Sequence, residues 1–493
     1  MRSKEVQKEF HIAPMLDVST IEFRYFIRLL TKRSIIWTEM VVAETLVYRN
    51  RTTDDDGKEL ASCEVSSLQL NDDLKRFCGW WDCIDGVDPH PSVCQIGTNN
   101  PQQAAFAATV AQQCGYDRID LNAECPSDRV SGRCFGAVLM QEQDVASRVV
   151  RSMVETAQIL QIPFSVKTRI GCDDIDKLEE SIHFIQRLVD AGCTRFVIHA
   201  RKVYTEGLSP AQNRTVPPLN YPHAYKLMDH FPQCEFVING GIRSIEHARK
   251  LVFGETDDIC DAYHVVPCQE CGLPHGSCMA PRKNPPVKGV MVGRLARDHP
   301  AALATIDTDF FREQSNPCDN RRILMNRYIK FLERVYPRRC CDDDATLTSG
   351  MVNEMKNAIV HNKEYCGVCG GGKGNNCLDE ESGLTITAKP SAAVQNPRQC
   401  GKRSNRHQRN NGDTKIGSRV IDQSLQPTSG ILYGIVGNGT FRRELHRLSR
   451  DLTVRNCGPG YILQKAMCSV PCEIWDQPFS TNDDKAVQYF PTK

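Results

Sequence analysis

Net charge is almost absent from this chain: 61 Lys and Arg stand against 60 Asp and Glu in 493 residues. Such a balance supports no global argument for a polyanionic partner, so any nucleic-acid surface must be local. Long apolar runs are lacking too. None approaches the ~20 residues that a membrane helix needs, and a mean hydropathy of −0.41 is that of a water-soluble chain. No apolar segment follows Met1–Glu5 to act as a secretory signal. A strand that begins by Phe10 leaves little room for an organelle presequence. A cytoplasmic monomer without a membrane partner is expected. Also missing is a glycine-rich turn after an early strand, which argues against an open, doubly wound nucleotide-binding sheet.

Cysteine, by contrast, is abundant, with 24 residues. Many lie inside apolar or helical segments, among them Cys114, Cys193 and Cys234, and read as buried thiols of a reducing compartment.

Short β-rich segments recur at 10–15, 35–40, 92–96, 118–122, 164–170, 195–200, 235–240 and 289–294. Helical patterns connect them at 102–114, 144–158, 176–191 and 244–252. Eight strands alternating with helices over nearly 300 residues predict an α/β fold, a (β/α)8 TIM barrel. Polar residues recur at the strand ends: Asp17, Glu39, Gln95, Asn122, Lys167, His199, Asn239 and Arg294. Each alone reads as a cap or turn residue. A barrel gathers them at one mouth, where its active site lies.

Beyond the barrel, 319–335 has helical periodicity, with Ile323, Leu324, Tyr328, Phe331 and Leu332 on the stripe expected to be buried. Residues 336–428 are rich in Cys, Gly, Asn and Gln and weak in periodicity, and 398–409 is strongly basic. Helix returns at 440–448. The expected organisation is a catalytic barrel at 1–312 with an insertion at about 255–288, then a small helical domain at 313–465. A flexible insertion at about 336–428 interrupts that domain, and a tail runs from 466 to 493.

The most informative stretch runs from Asn122 to Ala137, NAECPSDRVSGRCFGA. It is too polar and glycine-rich for an ordinary turn, and Cys125 before Pro126 sits on a constrained backbone. At a barrel mouth this thiol could be a nucleophile, a metal ligand or a proton donor. Cys134 stands at an unhelpful spacing for a metal site and reads as packing or loop structure.

With Ile12–Met15, Gln95–Gly97, Asn122–Met140, Val166–Gly171, His199–Lys202, Gly207–Pro210, Asn239–Ile242 and Val292–Arg294 in order, the chain resembles the tRNA-dihydrouridine synthases, specifically the DusA-like subfamily. That resemblance covers nearly the whole barrel. It implies FMN as cofactor, NADPH as reductant and uridine in tRNA as substrate, with positions 20 and 20a of the D-loop as targets. It puts Pro14, Met15, Gln95, Lys167, His199, Asn239, Gly240, Gly241, Gly293 and Arg294 at the FMN. Their chemistry agrees: glycine amides and a guanidinium suit a phosphate, and Lys167 and His199 suit the polar edge of a reduced ring. Cys125 is then the acid that protonates uracil C5 while hydride reaches C6. A thiol suits the role, being protonated near neutral pH with an ordinary pKa of ~8.5. Asn122, Arg214, Arg442 and Arg443 are implied as tRNA contacts, the last two on a helix that otherwise reads as a charged, solvated face.

Two insertions depart from the family pattern. Cys268 and Cys271 in the first, with Cys366 and Cys369 in the second, form Cys-x-x-Cys pairs that can make a four-thiolate zinc site. Against this stands the simpler reading, two flexible inserts with incidental cysteines. Segment 398–409 reads as an added RNA contact or a solubilising stretch. The rival functions are a barrel flavoenzyme reducing a small molecule, which needs none of the arginine contacts, and a catalytically silent RNA binder.

Overall fold

Strand edges decide the architecture. In a computed structural model describing residues 8–53, 59–61, 68, 70–126, 135–253, 287–337 and 417–480, the first barrel strand pairs on both sides. In chain order the strands are β1 (Glu9–Ile12), β2 (Ile35–Val42), a separate antiparallel pair β3 (Arg51–Thr53) and β4 (Glu59–Ala61), then β5 (Ser92–Gly97), β6 (Arg118–Ala123), β7 (Phe164–Arg169), β8 (Arg195–His199), β9 (Glu235–Asn239) and β10 (Gly289–Val292). The eight parallel strands close in the order β1-β10-β9-β8-β7-β6-β5-β2. An open doubly wound sheet is thereby excluded, and the expected barrel is what forms.

Local chemistry sets the helix ends. Pro101–Cys114 starts where Asn100 caps the amide of Gln103 at 3.0 Å, has proline in its first turn, and stops at Gly115 with φ of 107°. Arg321–Val335 starts the same way, with Asn320 accepting from Ile323 N at 2.9 Å. Within that helix the expected stripe holds at Leu324, Tyr328, Phe331 and Leu332, which are fully buried, but Ile323 is 41% exposed. It lies one residue, about 100°, off the buried face, where Met325 and Ile329 complete the packing instead. Phe331 stacks on Tyr25 of helix Ile21–Leu30 at 3.8 Å between centroids, joining this helix to the barrel wall.

Residues Ser418–Leu425, which lie inside the stretch read from sequence as insertion, form a helix with Ile421 and Leu425 buried. Tyr328 donates to Ser424 O at 2.7 Å. Within the segment read as tail, Cys472–Asp476 is helical and buries Trp475 against Phe441. These helices share one compact unit with the barrel, 1–338 with 416–493; the other unit, 339–415, lies outside the described residues. No helix among the described residues is long and apolar enough to cross a membrane.

Alternation along the strands sorts side chains into lumen and wall. Phe10 and Ile12 join the large core between strands and helices, whereas Ala13, Ile35, Trp37, Val93, Val197, Val237 and Met291 make a second cluster. Two residues further along, the same alternation delivers Gln95, His199, Asn239 and Gly293. At the opposite end Trp37 donates to His11 at 3.0 Å, His11 meets Glu9 at 2.9 Å, and Glu9 binds Arg118 and Arg195. An apolar layer on an ionic base thus closes the barrel bottom and leaves its top as the open, polar end.

Candidate active site

A cavity of about 310 Å³ opens at the C-terminal ends of the barrel strands, a size within the range of small-molecule and cofactor sites. All ten residues expected at a flavin line it: Pro14, Met15, Gln95, Lys167, His199, Asn239, Gly240, Gly241, Gly293 and Arg294. Asn122, Cys125 and Arg214 line it too. Arg442 and Arg443 do not; they are exposed on helix Asn438–Arg450. Of the two remaining strand-end residues, Asp17 lines the cavity, whereas Glu39 accepts from Asp17 N and borders a neighbouring groove.

Strand β6 ends at Ala123, and Asn122 turns the chain immediately beyond it. Its Oδ1 accepts from Glu124 N at 3.2 Å and Cys125 N at 3.0 Å, while Cys125 O accepts from Ala137 N at 3.0 Å. The Cys125 backbone is therefore held on both sides with its side chain on the cavity. Asn122 is itself 4% exposed, so its observed work is to hold this turn.

Lys167, on β7, is 2% exposed and bonds Glu124. Such a buried ammonium needs a charge partner, and the β6–β7 register, Asn122 opposite Lys167, puts Glu124 within reach. His199 Nδ1 lies 3.4 Å from the other Glu124 oxygen. Burial would raise the Glu124 carboxyl, but Lys167, His199 and Arg169 outweigh it and hold it well below the usual range. Burial, with Arg169 alongside, pushes His199 down to about 3 despite Glu124. His199 is consequently a neutral imidazole at physiological pH. Sequence reasoning gave Glu124 no role. The available signal was the lysine itself, since a Lys on a barrel strand implies a nearby carboxylate.

The far side of the cavity is rich in arginine. Burial lowers Arg294, and Arg243, Arg297 and Arg214 lower it further, against one nearby acid, Asp298. Arg201 falls to about 10 through burial and the charges of Arg294, Arg169 and Arg243. Beside these groups Gly240 and Gly241 adopt φ of 119° and 67°. A β-carbon on Gly240 would stand 2.9 Å from the His199 ring, and one on Gly241 would strike Leu219. This glycine pair admits the backbone where side chains cannot go, beside a cluster of guanidiniums: a shape and charge that suit an anion. Arg169 at the end of β7, Arg201, Arg243 and Arg297 on helix Arg294–Asp298 were given no role from the sequence, because single arginines carry no pattern that says which of them converge on one cavity.

Cys134, segment 398–409 and the zinc candidates Cys268, Cys271, Cys366 and Cys369 lie outside the described residues. Among the described residues no group of three or more His, Cys, Asp or Glu is arranged to hold a metal ion.

A closed parallel barrel with a glycine pair of positive φ, a buried Lys167–Glu124 pair and a thiol around one cavity at the C-terminal strand ends defines a TIM-barrel architecture with its polar cavity where such barrels carry their active sites. The dihydrouridine synthase (Dus) family model matches residues 11–79 and 80–258. The chain belongs to that family and is an oxidoreductase. It is 33% identical over 322 residues to the tRNA-dihydrouridine(20/20a) synthase of Synechocystis sp., covering 65% of this chain and 77% of that protein. Against proteins of the same name from Vibrio vulnificus and Escherichia coli K12 it is 34% identical, over 324 and 326 residues. The matches cover 66% of this chain in both cases, and 79% and 76% of those proteins.

Proposed function

We propose that this protein reduces uridines at positions 20 and 20a of tRNA to 5,6-dihydrouridine, with FMN as cofactor and NADPH as reductant. The observation that carries the reading is that Cys125, Lys167, His199, the Gly240–Gly241 pair and Arg294 line one cavity. The positions are those in the names of the similar proteins from Synechocystis, Vibrio and Escherichia.

The residues fit FMN on two counts: Arg294, with Arg201, Arg243 and Arg297 near it, makes that side rich in guanidinium, and a β-carbon would fill the glycine cradle. Gly240, Gly241, Gly293 and Arg294 would hold its phosphate, and Lys167, His199, Gln95 and Asn239 its ring, with Pro14 and Met15 beside it. When bound and reduced, FMN supplies the hydride that adds to uracil C6. Cys125 Sγ delivers the proton to C5, and the backbone bonds from Asn122 and Ala137 fix where that thiol starts. Lys167, held by Glu124, would offset negative charge on the reduced ring.

The target base must leave its stack to enter a cavity of this size. Arg214 at the rim and Arg442 and Arg443 on the distal helix supply phosphate contacts, the local positive surface that the net charge conceals. Residues 313–465 serve as the tRNA-binding helical part, in a cytoplasmic enzyme. Incubating unmodified tRNA with the enzyme, FMN and NADPH, then mapping reduced uridines along the RNA, tests the reading. Reduction at 20 or 20a is expected; reduction confined to other positions would refute the target assignment.

A further inference from the structure

Beneath the Cys125 turn lies a buried carboxylate that touches neither the cavity nor the thiol. Asp120, on β6, is fully buried and does not line the cavity. Its Oδ1 accepts from Ser165 Oγ at 2.7 Å, and its Oδ2 from Gln95 Nε2 at 2.9 Å. Gln95 Oε1 in turn accepts from Asn122 Nδ2 at 3.0 Å, and Asn122 Oδ1 accepts from the amides of Glu124 and Cys125.

The direction of donation along this chain is not free. A primary amide can present either end to a neighbour, and Gln95 or Asn122 alone has no preference. Asp120 removes the choice. An acceptor beside Gln95 draws its NH2 group, which turns the Gln95 oxygen toward Asn122 and draws the Asn122 NH2. Only then does the Asn122 oxygen face the two loop amides. Were one amide reversed, an NH2 group would meet backbone N–H groups, donor against donor, and the turn would lose both bonds. Burial pushes the Asp120 carboxyl up to about 8, against the bonds from Ser165 and Gln95. Its neutral form keeps the same direction by carrying the proton on Oδ1, toward a serine that can accept it.

We propose that Asp120 is a positioning residue for the Cys125 turn, acting through a one-way chain of amides, Gln95 and Asn122, anchored by Ser165. The consequence for catalysis rests on the role given to Cys125 above; the chain itself does not.

Two substitutions separate this role from mere packing. Asp120→Asn can still present an oxygen to Gln95 and an NH2 to Ser165, so it preserves the direction. Asp120→Leu has similar bulk and presents no acceptor. Residue-resolved hydrogen exchange reads the result without substrate. In Asp120→Leu the Glu124 and Cys125 amides should exchange about tenfold faster, the scale of one lost hydrogen bond, while Leu121 and Val166 in the strands remain protected. Asp120→Asn should keep all four protected. Should Asp120→Leu fail to fold, Gln95→Met breaks the next link at similar length and should expose the same two amides. The proposal is overturned if the two amides stay protected in the Leu variant (or in Gln95→Met where that stands in), or if Asp120→Asn exposes them as fully. A wild-type enzyme that leaves tRNA unreduced would instead overturn the functional reading, with these exchange rates unaffected.

Discussion

Glu124 bonds Lys167, so the residue immediately before Cys125 neutralises the one buried lysine at the cavity. Two roles therefore meet in consecutive residues: the carboxylate that pairs with Lys167, and the thiol that lines the cavity. Removing the carboxylate leaves an ammonium in a site 2% exposed. Glu124→Gln should lower unfolding stability by on the order of 3 kcal/mol, measured by denaturant titration of the flavin-free protein. The double variant Glu124→Gln with Lys167→Met should recover part of that loss. No loss in the single variant would contradict a buried pair.

Acid should destabilise the fold in two stages. The folded pKa values of His199 and His247 are lowered to about 3 and about 4, both chiefly by burial. Below about pH 6.5 the unfolded chain takes up protons at these residues that the native state refuses. Stability present above that pH then falls by at most about 1.4 kcal/mol per pH unit for each histidine. Glu9 adds a second stage: burial would raise it, but His11, Arg195 and Arg118 hold it well below its usual range. Glu124 behaves alike, so their contribution is lost only as pH falls below about 4.3. Asp120, whose carboxyl burial pushes up to about 8, works the other way and gains stability as pH falls from about 8 to about 4. Melting temperature measured from pH 8 to pH 3 should therefore rise slightly to about pH 6.5, then decline as the two histidines outweigh Asp120, then drop steeply below about pH 4.3.

Gly240→Ala should weaken FMN binding. At φ of 119° an added methyl is strained, and it stands 2.9 Å from His199. Strain of about 1–3 kcal/mol at a cofactor contact corresponds to about tenfold or more in the dissociation constant, read by quenching of flavin fluorescence. Unchanged affinity would remove the glycine pair from the cofactor site.

The barrel was legible because its signal is repeated. Each strand carries the same alternation, and all eight expected segments are strands within a few residues. The cavity residues were legible where a strand ended in a polar group, as at Gln95, Lys167, His199 and Asn239. Partners were not. Glu124 and Asp120 matter through what they touch across a register that only the closed barrel sets. Ile323 was misread because periodicity alone does not say which edge of an apolar stripe meets the neighbouring helix. Helix Ser418–Leu425 was hidden by the weak pattern around it, although Ile421 and Leu425 are the spacing by which it packs.

Arg442 and Arg443 project from an exposed face of their helix. Replacing both with Ala should weaken tRNA binding and reduce the slope of log affinity against log salt by about 0.7–0.9 for each phosphate that is no longer neutralised. FMN affinity should not change, since neither residue reaches the cavity. An unaltered salt slope would assign both arginines to solvation only.

The most direct test of the account is a single turnover. Enzyme loaded with FMN and reduced by NADPH is mixed with unmodified tRNA, and RNA fragments are weighed over time, for the wild type and for Cys125→Ala. The account predicts that wild-type enzyme adds two hydrogens to the target uridine. It predicts that Cys125→Ala binds and reduces its flavin normally but modifies the base about 100- to 10,000-fold more slowly, the range for loss of a general acid. Equal rates of base reduction in the two proteins would contradict it.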